Sequence, residues 1–423
     1  MRRFYTLLLW LALPFVTLSV AWRGLRERDY WVGWGERFGR GYRRRDASER
    51  GLWLHAVSMG EVQAALPLLG ALRARGRRVL LTSATPTGRR RAQAACDADC
   101  EVRYAPYDLP GALGRVLRSA APCLRVVVET ELWPNMLQAC AMAGVPVLVA
   151  SARLSERTLA RLTRWPGLLA PAALANLHVA AQTEADAERY RRLGVPPQSG
   201  RVCGNLKFDR ESNDELRERG RLLRQRLAPS RALWVAGSTH PGEEVAALRA
   251  QRAALDLCPA LLVLAPRHPR RFAEVAALLA EQGWRFARRS EGDVLTEQDQ
   301  VLLLDTMGEL ADFYAAADVA FVGGSMVPAG GHNLLEPAAL GVAVLTGPGH
   351  STAPEVYGAL QAAGGLVTVN DAAALAERLP AMLADGDARR HLAAAAAGVL
   401  AANRGSLARI LTWIDELLGA AAD

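Results

Sequence analysis

An α/β protein built from two consecutive doubly wound lobes is predicted by three observations. Short apolar runs alternate with segments long enough to be crossover helices, the alternation restarts after one highly charged stretch at 209–230, and 423 residues exceed a single ordinary core. The predicted boundaries are a membrane-anchor helix over 1–24, an N-terminal lobe over 25–208, a linker over 209–230 and a C-terminal lobe over 231–423. A hydrophobic content of 51% excludes a disordered chain. The net charge of +8 suits an anionic partner, and composition alone leaves nucleotide, acidic lipid surface and nucleic acid open. Six cysteines at 96, 100, 123, 140, 203 and 258 form no Cys-x-x-Cys pair and no zinc spacing, which predicts a reduced cytosolic protein.

Phe4 to Trp22 is an uncharged stretch of 19 residues, about the length that crosses a hydrocarbon core as a helix. A cleaved signal peptide ending near Ser19-Val20-Ala21 is the rival reading; a retained anchor is preferred because nothing downstream looks exported. Arg23, Arg26, Arg28, Arg37, Arg40 and Arg43 follow the stretch, which puts the body of the protein on the cytoplasmic side and near anionic lipid. The expected strands are Leu52–Ala56, Val79–Thr82, Leu124–Val128, Val145–Ala150 and His178–Ala181 in the first lobe. In the second they are Leu233–Ala236, Leu261–Ala265, Val301–Asp305, Val319–Val322, Ala343–Thr346 and Gly365–Val369. The Ala-rich tail from Asp385 is expected to be helical and without chemistry. Ligands of such lobes belong at the carboxyl ends of the strands and between the lobes.

Chemistry-bearing side chains fall at those strand ends. The loop of Ser58, Gly60 and Glu61 follows the first strand; Gly60 suits a tight turn, and Glu61 opens a helix, where an acid is also ordinary helix-start chemistry. The loop from Thr82 to Gly88 follows the second, where capping alone is the competing explanation for its hydroxyls. Glu129 and Glu131 end a very apolar strand, where two carboxylates need a partner. That partner is Lys207 in Gly204-Asn205-Leu206-Lys207-Phe208-Asp209, the one lysine among 51 basic residues, a compact ammonium in a chain that otherwise uses guanidinium. Arg153 follows the next strand as a fork donor for a carboxylate or phosphate, beside a helix cap at Ser155. Asp97-Ala98-Asp99 reads as surface.

Four loops of the second lobe repeat the layout of a nucleotide site. Ser238 and Thr239 lie in a Gly237–Gly242 turn expected to cradle phosphate, and Arg267 and His268 end the following strand. Met307, Gly308 and Glu309 can offer backbone groups to a base edge. In the glycine-rich segment from Gly323 to Pro337, Asn333 caps a helix carrying Leu334, Leu335 and Glu336, the last able to accept from ribose hydroxyls.

Taken together, the strings HAVSMGE (55–61), ETELWPN (129–135), SARLS (151–155), GNLKFD (204–209), GSTHPGEE (237–244), APRHPRR (265–271), TMGEL (306–310) and GGHNLLEP (330–337) resemble the 3-deoxy-D-manno-octulosonic acid (Kdo) transferases. So do the N-terminal apolar stretch and Gly35-Glu36-Arg37-Phe38-Gly39; the likeness covers nearly the whole chain. The resemblance implies a GT-B glycosyltransferase with an acceptor-binding N-terminal lobe, a CMP-Kdo-binding C-terminal lobe and a cleft between them. It implies Glu61 as general base, Glu131 and Lys207 as groups supporting the transition state, and CMP contacts from Arg267, His268, Met307–Glu309 and Asn333–Glu336. Ser58, Gly60, Arg153, Ser238 and Thr239 join these as further substrate contacts. The implied partners are CMP-Kdo, a lipid A precursor and the cytoplasmic face of the inner membrane, with no nucleic acid, no cofactor and no metal. An inverting transfer suits these groups, since a carboxylate can take the acceptor proton while cations and amides receive charge on the departing phosphate. The rival enzyme is a GT-B transferase using a UDP-sugar; the rival from another class is a membrane-tethered nucleotide sensor without turnover.

Overall fold

The computed structural model describes residues 1–26, 28–46, 49–97, 100–209, 214–292 and 295–419. The chain forms two compact units, Met1–Asp209 with Asn403–Asp423, and Arg210–Ala402.

In the first unit the strands are β1 (Leu52–His55), β2 (Val79–Ser83), β3 (Cys100–Tyr104), β4 (Leu124–Val128), β5 (Val147–Ala152), β6 (Leu177–Ala181) and β7 (Gly200–Val202). They lie in the order β3-β2-β1-β4-β5-β6-β7, and every pairing is parallel. In the second unit β8 (Ala232–Thr239), β9 (Ala260–Pro266), β10 (Phe286–Arg288), β11 (Val301–Leu303), β12 (Val319–Val322), β13 (Ala343–Thr346) and β14 (Val367–Thr368) form a second parallel sheet, ordered β10-β11-β9-β8-β12-β13-β14. In each sheet the chain winds outward from a central pair, β1 beside β4 and β8 beside β12. The loops leaving that pair diverge, which opens a crevice at the carboxyl edge.

The runs expected as central strands are strands because both sheet faces are covered: each sheet has an apolar cluster on either side. The three strands absent from the sequence reading, β3, β7 and β10, are all sheet edges. An edge strand needs no continuous apolar run; β3 buries alternate residues and leaves Glu101 and Arg103 partly exposed. β5 begins two residues later than expected because Val145 still closes the preceding helix, its N–H donating to Cys140 O, while Pro146 O accepts from Arg125 N.

Two parts of the expected domain division change. The tail from 403 packs on the first unit, not with the C-terminal lobe. Helix Ser406–Gly419 buries Ile410, Leu411, Trp413 and Ile414 against the β1 face, and full burial of each aliphatic side chain is worth about 1.5–3 kcal/mol. Its start is held by Asp209, whose carboxylate accepts from Gly405 N at 3.0 Å and Leu407 N at 2.5 Å. The expected linker is largely a helix, Asp214–Leu227, whose Gly220 lies so close to Ala315 that a Cβ would sit 2.4 Å from its side chain; residues 210–213 fall outside the described residues, as do Ala98 and Asp99 of the Asp-x-Asp string. The reading of six reduced cysteines is also corrected. Cys96 and Cys100 are disulfide-bonded across a helix end and the start of β3, with Cα atoms 5.3 Å apart, while Cys123, Cys140, Cys203 and Cys258 are free.

The N-terminal helix Arg2–Arg26 contains one segment, Arg2–Leu25, long and apolar enough to cross a membrane, and large side chains such as Phe15 (75% exposed) remain uncovered. Its first turn is tied to the unit. Tyr5 Oη donates to Asp108 at 3.0 Å, and Thr6 Oγ1 and Arg2 Nη1 donate to Asn135 Oδ1 at 2.9 and 3.3 Å. Asp108 in turn caps helix Pro134–Met142 by accepting from the N–H groups of Asn135 and Met136.

Replacing Asp209 by alanine removes the acceptor for two helix-start amides and is expected to cost about 1–2 kcal/mol in urea unfolding. A change below a few tenths would show that the C-terminal helix holds its place through apolar contact alone.

Candidate active site

At the crevice of the first sheet, β1 leads into helix Met59–Ala74. Ser58 is the N-cap, its Oγ accepting from Glu61 N at 3.3 Å; Glu61 Oε2 accepts from Val57 N at 2.7 Å, and Ser58 Oγ donates to Glu61 Oε1 at 3.1 Å. Ser58 and Glu61 thus cap the helix start, the carboxylate reaching the N–H before the cap residue, so the helix-start reading of Glu61 holds. It does not exhaust the residue. Burial pushes the Glu61 carboxyl up to about 7, against the Val57 hydrogen bond, and the charges of Glu129 and Glu131 raise it further. Gly60 departs from expectation: it lies within the helix, and a Cβ there would meet nothing nearer than Ser58 Oγ at 3.9 Å. No tight turn requires it. His55, one strand end away, is buried against Thr82 and is held neutral by that burial and by Arg125.

The loop after β4 meets the same crevice. Glu129 has φ of 64°, a left-handed conformation costly for a residue with a Cβ, and its Oε1 lies 2.6 Å from Lys207 Nζ. Glu131 accepts from Trp133 Nε1; burial raises its carboxyl, opposed by that bond and by Arg125, with Glu129 adding to the rise. Arg125 itself is 1% exposed within β4, its guanidinium stacked on Trp53 at 4.1 Å.

Lys207 is positioned by the backbone of its turn, whose amides are held by side chains, and by its pairing with Glu129. Gly204 has φ of 85°, and a Cβ there would lie 2.3 Å from Ser406 Oγ, so only glycine fits between strand end and C-terminal helix. Asn205 N donates to Asn403 Oδ1, Leu206 N to Ser151 Oγ, and Lys207 N to Asn205 Oδ1, each within 3.0 Å. The tail set aside as without chemistry therefore fixes the turn that carries the ammonium. Ser151, φ 53°, is a second strained residue at this edge. Arg153 is exposed and its carbonyl accepts from Thr130 Oγ1, while Ser155 caps the next helix by accepting from Thr158 N.

In the second unit the loops after β8 and β12 define the crevice. One amide of the Gly237–Gly242 turn expected to cradle phosphate, that of His240, is taken by a carboxylate of the same unit, together with three amides of the glycine-rich loop. Glu243, 1% exposed, accepts from His240 N at 2.9 Å, Gly324 N at 2.7 Å, and Ser325 and Met326 N at 3.0 Å each. Those amides are satisfied by the protein's own carboxylate, so they do not wait for a ligand. Ser238 has φ of 57°, and Thr239 is buried within the strand.

Arg267 is exposed beyond β9, its N–H donating to Thr239 O at 3.0 Å. His268 stands edge-on to His240 with ring centres 5.4 Å apart, and burial, His240 and the nearby arginines hold its imidazole below the usual range. Met307 is 63% exposed, and Gly308 has φ of 92° with open space where a Cβ would be, so both present themselves to a ligand. Glu309 does so less: Arg289 Nη2 lies 2.6 Å from its Oε1, and this bond holds the carboxylate below its ordinary value. Asn333, expected as the cap, lies one residue before the N-cap Leu334 of helix Leu335–Ala339; its Oδ1 accepts from Leu335 N at 3.1 Å and its Nδ2 donates to Glu336 Oε1 at 3.0 Å. Leu334 and Leu335 are buried at 2 and 3%, which leaves their backbone as the part able to meet a ligand.

Two residues given no role in the sequence reading stand in these sites, His240 among the polar residues of its own string and His332 among glycines. Their signal was present: each is a charged or titratable residue on a loop leaving a central strand.

Two parallel doubly wound units with polar side chains at their central strand ends are the GT-B fold. Residues 32–210 match the family described as 3-Deoxy-D-manno-octulosonic-acid transferase (kdotransferase), and residues 293–399 match glycosyl transferases group 1. The 3-deoxy-D-manno-octulosonic acid transferase of Haemophilus influenzae is 37% identical over 99% of this chain and 99% of its own. That of Bordetella pertussis is 37% identical over 99% of this chain and 100% of its own. The chain belongs to the Kdo transferase family. The crystal structure of Acinetobacter baumannii MurG, 15% identical, covers 87% of this chain and 99% of its own at a TM-score of 0.55, a likeness of fold alone.

The shifted Glu61 carboxyl has a thermodynamic consequence. With a folded value near 7 against an ordinary 4.5, its stabilising contribution is whole below 4.5 and is lost as pH rises through 7. Glu61→Gln, which keeps an acceptor for Val57 N, is expected to melt higher relative to wild type at about pH 8 than at about pH 5. Equal differences at the two pH values would show that the carboxyl titrates normally.

Proposed function

We propose that the protein transfers Kdo from CMP-Kdo to a hydroxyl of a lipid A precursor, lipid IVA, with inversion at the anomeric carbon and Glu61 as general base. The observation that carries this reading is the Glu61 carboxyl held near 7 at the crevice of the first sheet, in a chain of this family. A base near the working pH combines a useful ionised fraction with enough proton affinity to matter, which an ordinary glutamate lacks. Glu61 takes the acceptor proton as the acceptor oxygen bonds to the anomeric carbon. The bond to the CMP phosphate breaks with its electron pair going to phosphate, and no sugar–enzyme bond is formed.

Lys207 and Glu131 are assigned to transition-state support, Lys207 as an ammonium whose position is set by Glu129 and the 204–209 turn. In the second unit, Arg267 and His268, the Met307–Glu309 turn and Asn333–Glu336 are assigned to CMP. Ser58 and Ser151 hold local backbone rather than substrate, and Arg153, Ser238 and Thr239 are kept as further contacts at the strand ends. CMP carries one phosphate, so a divalent ion has less charge to neutralise than on a sugar diphosphate, and none is invoked.

The N-terminal helix is assigned to the cytoplasmic face of the inner membrane. Because its first turn is bonded to Asp108 and Asn135, we place its uncovered flank along the lipid surface rather than carrying that turn to the far side. Asn135 is four residues from Glu131, so the lipid surface and the acceptor residues meet at one edge of the unit. The exposed arginines that follow, including Arg23, Arg40 and Arg43, then face anionic headgroups.

Incubation of the purified protein with lipid IVA and freshly generated CMP-Kdo is expected to give product heavier by Kdo, read by mass spectrometry. Glu61→Gln should retain CMP binding and lose roughly two to four decades of turnover. Lys207→Arg should also fall steeply, because a longer fork cannot take the place of an ammonium against a carboxylate fixed on left-handed backbone. Transfer from a UDP-sugar, or CMP binding without any transfer, would replace the reading with a different transferase or a sensor.

A further inference from the structure

Beside the assigned CMP residues lies a pair of imidazoles to which no role has been given. His240 Nε2 and His332 Nε2 are 2.9 Å apart, with ring centres 5.1 Å apart and ring planes within 14°, so the two nitrogens point at each other nearly in one plane. His240 lies on the loop leaving β8 and His332 on the loop leaving β12, the two central strands between which a doubly wound sheet takes its ligand. The pair is held in advance. Glu243 binds the His240 amide and three amides of the glycine-rich loop with one carboxylate, tying both loops together. Gly324, φ 68°, lets that loop close on His332, since a Cβ would lie 2.7 Å from the ring.

A nitrogen–nitrogen contact at this distance is a hydrogen bond and requires one nitrogen to donate and the other to accept. Two neutral rings of opposite tautomer satisfy it, and so does one imidazolium beside one neutral ring; two imidazoliums do not, because both nitrogens would carry hydrogen. The pair can therefore take up one proton without breaking its own bond.

The surroundings oppose that proton while no anion is bound. Arg267 and His268 face the pair from the loop after β9; Arg270 acts on His268, and Arg271 beyond it is already paired with Glu244 and Glu274. Glu243 is engaged with amides, and Glu336 lies one turn past His332, in contact with Asn333. Burial and the charges of Arg267, His240 and His268 hold His332 down to about 4. A phosphate dianion here would reverse the balance.

Resting on the reading of this unit as the CMP-binding one, the geometry points to His240 and His332 as the recognition site for the nucleotide phosphate, taking up one shared proton when the CMP dianion binds. The uptake places a new positive charge where the departing phosphate gains negative charge, and the unliganded site is spared a buried imidazolium. Phosphate, rather than the sugar carboxylate, is the committed ligand, since CMP alone carries it.

Calorimetry of the full-length protein with CMP tests this in buffers of differing ionisation enthalpy, at about pH 8 where the phosphate, second pKa near 6, is a dianion. The expected result is net uptake approaching one proton per CMP, none with cytidine, and loss of uptake with roughly tenfold weaker binding in His332→Gln. As a second measurement independent of any variant, histidine 13Cε1 signals of the wild-type protein should show one imidazole becoming protonated when CMP is added at that pH. Binding of CMP without proton uptake, or equal uptake with cytidine, would overturn the proposal and leave the transferase reading intact. No binding of CMP at all would overturn both.

Discussion

One ammonium among three carboxylates is the constraint on which the first unit depends. Lys207 meets Glu129 at 2.6 Å, while Glu61 and Glu131 stand close enough for their charges to be felt. With Lys207 paired to Glu129 and only the buried Arg125 felt by Glu131, full ionisation of three acids is unfavourable in a partly buried crevice, and the proton is retained most readily where burial is strongest in effect, on Glu61. A carboxyl held near neutral pH is thus a consequence of charge count and burial. The backbone contributes strain to the same end: Glu129 and Ser151 both adopt left-handed conformations at the sheet edge, one aiming a carboxylate at Lys207 and the other supporting its turn.

Much of this was legible because parallel sheets write themselves as apolar runs, and their chemistry falls where the runs stop. Leu124–Val128 announces a buried strand, and Glu129 and Glu131 follow it at once; Lys207 was conspicuous as the single lysine. What sequence could not disclose was long-range. Nothing near residue 204 indicates that its glycine must clear Ser406, nor that Asp209 holds the start of a helix almost two hundred residues on. The edge strands β3, β7 and β10 stayed hidden because an edge is short or mixed in polarity, and the Cys96–Cys100 bond because four-residue spacing has no distinctive signature.

The second unit shows why a glycine-rich strand end is weak evidence for a phosphate cradle. Amides of Gly324, Ser325 and Met326 converge as such a cradle would, but Glu243 fills it and converts it into a brace between two loops. In the proposed reading charge recognition falls to side chains outside the brace, Arg267 as a fixed cation and the His240–His332 pair as the group that takes up a proton. Glu309 shows the same economy, its carboxylate committed to Arg289 so that the exposed Met307–Gly308 backbone is what the turn offers.

The most direct measurement of the central claim is a carboxyl 13C titration of the protein with labelled glutamate, the Glu61 signal being identified by its loss in Glu61→Gln. A midpoint near 7 that falls when Glu129 is replaced by glutamine is the expected result, since burial and its acidic neighbour both hold the proton there. A midpoint near the ordinary 4.5, indifferent to Glu129, would mean the crowding of carboxylates does not tune the base.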